Sequence, residues 1–403
     1  MHERYGTITP AIAAFAISGL LCSAQTLAQN AYIPGQLDNT VSVISTATNT
    51  VTTVIHDPSF NYPFPVAVTL DGSKVYVANY GLDHPPYSVS VISTATNTAT
   101  AVINDPSFNM PDGIAVTPDG HKVYVANCVG DKVSVIHTAT NTVTTIKDPS
   151  FSEAVGVAVT PDGRTVYISN YAGNMGGNTV SVIDIATDTV TKVIHDPSFN
   201  FPWGEAVTPD GRTVYVVNNG PNFDGNTVSV IDTATNRVTE TITLPDGKGP
   251  NAVAVTPDGS QVYVNNDSDI GGVSVIATAT NTVGSIPTVD GFTTGVAVTP
   301  AGRKVYAVNG HSDNVSVIAT ATNMVVGSPI PVGKFPAAGG VFIQPRFAGT
   351  PGKANCFGQS VSALARTFGG FSSAAAVLGF PKVSGLQNAI LEFCGGYELG
   401  PGG

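Results

Sequence analysis

Charge is sparse in this sequence: only 11% of its 403 residues are Asp, Glu, Lys or Arg, and 17 basic residues stand against 28 acidic ones for a formal net charge of −11. No Lys/Arg-rich run occurs anywhere, which argues against phosphate-backbone binding as the main activity. Nucleic acid is not an expected partner. Long apolar runs are missing too: none reaches the roughly 18 residues that a helix needs to cross a bilayer, so no membrane span is expected. Short catalytic signatures are absent: there is no G-x-S-x-G, no H-E-x-x-H and no Cys/His nucleophile pattern. Sites assembled from distant segments would escape such a search. What the chain has is apolar material and turns, with 42% hydrophobic residues, 43 glycines and 28 prolines, enough for a large core cut by many reversals.

The N-terminus reads as a secretory signal peptide over residues 1–28. A short polar stretch with Arg4 precedes the apolar run "AIAAFAISGLLCSA", and the small-residue ending "TLA" places cleavage after Ala28. The expected location is the periplasm, or the cell surface or medium after secretion. Cys22 follows Leu21 rather than a small residue, which argues against lipid attachment, and it leaves with the signal.

Internal repetition decides the architecture. "VSVI" followed by "TATN" or a near variant recurs seven times, with its serines at Ser42, Ser90, Ser134, Ser181, Ser229, Ser274 and Ser316, at spacings of 48, 44, 47, 48, 45 and 42. Between these copies runs a second element, as in "IAVTPDGHKVYVAN" (114–127) and "VAVTPDGSQVYVNN" (253–266). Runs of Val, Ile, Thr and Tyr cut by Asp-Gly and Thr-Asn turns read as short antiparallel strands, four per period. Four-stranded units at this period are propeller blades, so the expected fold is an all-β, seven-bladed β-propeller. Only six "VYVAN"-like strands follow a "TPDG"-like turn. "AYIP" at 31–34 supplies the missing one, and "GVFIQP" at 340–345 the seventh "VAVT" strand. The closing blade therefore takes three strands from the N-terminal side and one from the C-terminal side, which removes an open edge.

"VYVAN", "VSVI", "TATNT" and "VAVTPDG" resemble the YVTN β-propeller repeat of archaeal surface-layer and exported bacterial proteins, over about residues 31–345. The resemblance implies a seven-bladed propeller. It leaves activity open, since propellers of this type serve as binding scaffolds while similarly built ones are lactonases or cofactor enzymes.

With the strands of a blade lettered A ("VAVT", innermost) to D (outermost), the A-to-B and C-to-D turns hardly vary along the chain. The B-to-C loops and D-to-A crossings on the opposite face vary freely, and that face is assigned to the ligand. The crossings "HDPSFN" (56–61), "NDPSFN" (104–109), "KDPSFS" (147–152) and "HDPSFN" (195–200) share a turn motif with a Phe suited to fill the gap between blades. The histidine gives way to Asn104 and Lys147, so the motif is read as structural, with His56 and His195 kept as ligand candidates. The Asn ending each B strand is read as bonding local backbone. His84 and His311 lack metal-ligand spacing.

One departure from the repeat stands out. Val66, Ile114, Val157, Val253, Val296 and Val341 share an A-strand position at which the fifth blade carries Glu205. A carboxylate at a packed position needs a partner. Asp112, Trp203 and Asn251 stand at neighbouring mouth positions, and these four join His56 and His195 as the ligand-binding candidates. Metal candidates are Glu205, Asp267 and Asp269, the last two from "DSD" at 267–269, with a divalent cation as the candidate cofactor.

The propeller is expected over 29–346, a linker over 347–353, and a small helical domain with a Gly-rich end over 354–403, where Ala/Leu-rich segments show helical periodicity. In an exported protein, Cys356 and Cys394 bracketing that domain read as a disulfide and Cys128 as free. The functional expectation is a non-enzymatic exported scaffold that binds a protein, glycan or small molecule at the channel mouth. The alternative is a periplasmic enzyme of lactonase or hydrolase type, metal-assisted in one form. A role beside a quinone-cofactor oxidation system is a weaker third.

Overall fold

β-branched residues dominate the strands because a pleated, half-buried surface accepts their stiff side chains, and each repeat builds one twisted antiparallel sheet. A computed structural model describes residues 29–344 apart from 83–84, 172–177, 246–247, 268–271 and 289–291, together with Val383, Gln387 and Ile390 of the tail, which are helical. The signal peptide, the proposed Cys356–Cys394 bridge and the rest of the tail lie outside the described residues.

Blade 3 shows the pattern: strands A (Pro111–Val116), B (Lys122–Asn127), C (Lys132–His137) and D (Thr142–Lys147) pair in sequence order, each antiparallel to the next. Blades 2, 4, 5 and 6 are built the same way, and in blade 7 two short segments, Met324–Val325 and Ile330–Pro331, share the D position beside Asn314–Ala319. The protein is a seven-bladed β-propeller. Blade 1 closes the ring as the repeat count requires. Asn30–Gly35, Thr40–Ser45 and Thr50–His56 form its outer three strands. Its innermost position is filled from the other end of the chain, with bridges Ala31 to Ile343 and Gly35 to Pro336, and bonds from Tyr32 N to Phe342 O and from Ala337 N to Pro34 O.

The invariant turns owe their constancy to local bonding. In the A-to-B turn Thr117 Oγ1 donates to Asp119 Oδ1 and accepts from Lys122 N, while Gly120 takes a φ of +73° that costs other residues strain. In the C-to-D turn a left-handed Asn or Asp recurs in every blade, from Asn49 (φ 56°) to Asn323 (φ 52°).

Blades are tied to one another by two side-chain systems. In five blades the buried B-strand tyrosine reaches the left-handed residue of the next, as in Tyr32 to Asn97 at 2.8 Å, Tyr167 to Asn236 at 2.6 Å, and, across the closure, Tyr306 to Asn49 at 2.7 Å, while the Tyr76 hydroxyl has no partner. The "DPSF" crossings form the second system. Asp57 Oδ1 accepts from Ser59 N at 2.9 Å, and the Ser59 hydroxyl bonds that of Ser90, the "VSVI" serine of the next blade, at 2.8 Å. Ser107 with Ser134, Ser150 with Ser181 and Ser198 with Ser229 repeat the tie. Phe60, Phe108, Phe151 and Phe199 are buried between blades, as the motif suggested.

The Asn ending strand B does more than was expected of it. Asn79 Nδ2 donates to the hydroxyls of Ser88 and Ser90, both at 2.9 Å, and its Oδ1 accepts from the crossing's Asn61 N at 3.2 Å. Its main partners are serine side chains of strand C, not the exit backbone, because the strand-C serine lies directly across the sheet from it.

Candidate functional site at the channel mouth

The A strands line a central cavity of about 450 Å³. Its wall is layered by the repeat. Residues such as Ala115 and Val116, Ala158 and Val159, and Ala254 and Val255 make the barrel apolar, and Leu70, Pro118 and Pro161 mark its end on the invariant-turn face. The other end escapes the repeat. One residue per blade, placed where the chain comes in from the D-to-A crossing, forms a ring of Phe64, Asp112, Val155, Trp203, Asn251, Thr294 and Gly339, all lining the cavity. Seven blades supply seven different residues here, on the variable face. Glu205 lines the cavity two residues after Trp203.

Gly or Ala follows the mouth position in every blade but blade 2, which has Pro65, because the next blade's backbone comes very close. A Cβ on Gly113 would strike Val155 O, and one on Gly204 would strike Asn251 O. At Gly156 the space is taken by Trp203 O and by the Glu205 carboxyl. Glu205 thus points back toward blade 4, where Ser169 Oγ donates to Oε2 at 2.7 Å and Ser169 N to Oε1 at 3.2 Å. Ser169 is itself a departure: the matching B-strand positions carry Pro34, Ala78, Ala126, Val217, Asn265 and Val308. Ala126 with Val157, and Val217 with Val253, occupy the same places as apolar neighbours at other interfaces. The substitution of valine by glutamate is therefore matched by a hydroxyl placed to meet it.

Protein surrounds Glu205 even though the lumen touches it, and this burial pushes its carboxyl up to about 8 against the weaker opposing effect of the Ser169 bonds. Asp112 is 7% exposed, its Oδ1 has no hydrogen-bond partner, and burial raises its pKa to about 7. Asp267 is raised to about 6 by burial, and its Oδ2 accepts from Asn251 Nδ2 at 3.2 Å. Asn251 is further fixed by Asn265, whose Nδ2 donates to Asn251 Oδ1 at 2.6 Å. Among the described residues, no Lys, Arg or His lines the cavity.

Aromatic rings continue outward from the mouth. Tyr171 packs edge-on against Trp203 with centroids 4.9 Å apart and against Phe201 at 5.0 Å, and Trp203 tilts against Phe223 at 6.4 Å. Phe223 is 52% exposed. Beside Asp112, Cys128 is free and partly buried; burial, then Asp112 and Glu153, push its thiol up to about 12. Just outside the ring, Tyr62, Met110, Glu153, Phe201, Phe292 and Phe335 all adopt left-handed backbone, with φ between 48° and 63°. Hydrogen bonds hold them there, such as Asn178 Oδ1 to Phe201 N at 2.7 Å and Asp313 Oδ1 to Phe335 N at 2.7 Å.

The structure thus brings Asp112, Trp203, Glu205 and Asn251 together at one cavity, with Asp267 bonded to Asn251. It does not bring in His56 and His195, which stand exposed at the ends of outermost strands. His84 and Asp269 lie outside the described residues, and His311 is exposed with its ring 3.8 Å from that of Phe292. Among the described residues, no three of His, Cys, Asp and Glu are grouped to hold a metal ion. The sequence reading missed Ser169, Tyr171, Phe223 and the left-handed rim. Ser169 had a usable signal, being the only hydroxyl at its B-strand position.

Fold and cavity together define a seven-bladed propeller with a non-repeating mouth. No family model matches the chain, and no curated protein matches it. Solved structures do. A hydrazine synthase structure from Kuenenia stuttgartiensis is 22% identical with a TM-score of 0.60, covering 68% of this chain and 88% of that one. A protein of unknown function from Desulfotomaculum acetoxidans is 20% identical at 0.61, covering 77% and 99%. A 6-phosphogluconolactonase candidate from Bacteroides uniformis is 16% identical at 0.62, covering 76% and 98%. Likeness at these identities carries the propeller fold and no activity.

Proposed function

We propose that this protein is an exported binding propeller, which takes a small molecule or a projecting group of a larger partner into the channel mouth on its variable face. One observation carries the reading: the only ring in the cavity released from the repeat is the mouth ring, and it combines aromatic, acidic and amide side chains over an apolar lumen. Trp203 is the chain's single tryptophan, so intrinsic fluorescence reports on this mouth alone. Ligands or partners that enter it should shift or quench that emission and should lose affinity about tenfold or more on Trp203→Ala. A partner whose affinity is untouched by Trp203→Ala and by Asp112→Asn, with no change in emission, would remove the mouth from consideration.

The lactonase-type alternative draws on the Bacteroides neighbour and on the same carboxyls, whose raised pKa values suit proton transfer near neutral pH. Hydrolysis of a sugar lactone that is abolished by Glu205→Gln would favour it over a binding role.

A further inference from the structure

We propose that the ligand of the channel mouth carries an alkylammonium group, seated between the Trp203 ring and the carboxyls of Asp112 and Glu205. The inference deepens the binding role proposed above and rests on it. Three features of the cavity point to a cation. Among the described residues, two carboxyl-bearing side chains line it and no basic residue offsets either one. One of them, Asp112, is more than nine-tenths buried and has an oxygen with no partner, a vacancy that a donor would fill. Trp203 and Phe64 stand in the same ring as Asp112, and an aromatic face beside a carboxylate suits an ammonium with apolar substituents, while the Val and Ala wall below accepts its hydrocarbon. A metal ion is poorly served here, since it would need more oxygen ligands than the mouth converges.

Cation capture at this mouth is tied to pH. Cys128, Glu153 and Tyr171 flank Asp112, and Ser169 faces Glu205. Burial keeps the Cys128 thiol and the Tyr171 hydroxyl protonated through the neutral range, so the two cavity carboxyls are the groups that change. Glu205, with its pKa near 8, is about one-tenth ionised at pH 7 and nine-tenths at pH 9, so affinity should rise about tenfold over that interval, with proton release near pH 7.

The experiment is calorimetric titration of the full-length mature protein at pH 7 and pH 9 with choline, with n-butylammonium, with the neutral isostere 3,3-dimethyl-1-butanol, and with the peptide acetyl-Gly-Lys-Gly-amide. At least one ammonium probe should bind at pH 9 tenfold or more tightly than the alcohol and weaken about tenfold at pH 7. Asp112→Asn and Glu205→Gln, checked for cooperative urea unfolding, should each remove most of the difference between cation and alcohol. Binding of choline or butylammonium identifies a free amine as the natural source, and binding of the peptide alone identifies a lysine of a partner protein. If the alcohol binds as well as the cations, the ammonium proposal falls and the binding role stands. If no probe binds at pH 9, the ammonium proposal also falls, and the fluorescence test of the mouth judges the binding role separately.

Discussion

Glu205 occupies a position that the repeat fills with Val or Ile in every other blade, and its cost is visible in its titration. The unfolded chain loses this proton near the ordinary value of 4.5, whereas the folded protein holds it until about 8. Between those values the native state binds a proton that the unfolded state has lost, so stability is fully present below about pH 4.5 and declines as pH rises toward 8. The decline amounts to at most on the order of 5 kcal/mol from this residue. Asp112, shifted from 3.8 to about 7, acts in the same direction over pH 4–7. Urea midpoints should therefore fall between pH 5 and pH 8.5. The double substitution Glu205→Val with Ser169→Ala restores the pairing of the other interfaces. It should leave the share of Asp112 below pH 7, flatten the profile between pH 7 and 8.5, and add about 1 kcal/mol or more at pH 8, because both polar partners go together. Glu205→Val alone should gain less, since the Ser169 hydroxyl then loses its acceptor. A profile that stays steep between pH 7 and 8.5 in the double variant would clear Glu205 of the effect.

At the scale of elements, the "DPSF" crossing is a clamp between blades, and its residues should differ sharply in cost. Phe199, 4% exposed, fills the interblade gap, so Phe199→Ala should lose about 3–4 kcal/mol in urea unfolding. His195→Ala, four residues earlier on an exposed strand end, should change stability by less than about 0.5 kcal/mol. Equal losses in the two variants would contradict the division of labour. This is also where sequence legibility ends. Turn chemistry and the buried Phe were readable because both are local properties of a six-residue string. The Ser59 to Ser90 tie was not, since its partner lies 31 residues on and in another blade. The same reason hid the tyrosine girdle: Tyr32 and Asn97 are 65 residues apart, and nothing in either motif names the other. The candidate site was legible where it broke the repeat, at Glu205, Asp112 and Trp203. It was illegible where contact depends on loops without a period, as for Tyr171 and Phe223.

For the whole molecule, the chain runs through every crossing between blades, including the one from blade 7 into strand A of blade 1, so the seam without a covalent link surrounds the three N-terminal strands of blade 1, where they meet that strand A and blade 7. Noncovalent bonds therefore hold the ring shut. Tyr306 and Lys304 bond Asn49 at 2.7 and 2.9 Å, Lys304 also bonds Thr46 O at 2.8 Å, and the 336–344 segment lies along Asn30–Gly35. Deleting residues 29–38 removes strand B of blade 1 and exposes two sheet edges, so folding should fail or stability should drop by several kcal/mol. An unchanged melting temperature would refute closure by this strand. A subtler comparison isolates the tether. Tyr306→Phe and Tyr263→Phe each delete one girdle bond, to Asn49 across the closure and to Asn323 within the chain-linked part. Each should cost about 1 kcal/mol at equilibrium. Their kinetics should differ, because unfolding that begins by opening the ring must part the three N-terminal strands of blade 1 from blade 7 and from strand A, breaking the Tyr306 to Asn49 bond first, whereas blades 6 and 7 stay tethered by the chain. Tyr306→Phe should therefore accelerate unfolding in urea by several-fold more than Tyr263→Phe does, with most of its stability loss seen in the unfolding rate. Equal acceleration by the two variants would show that the ring does not open at its noncovalent seam.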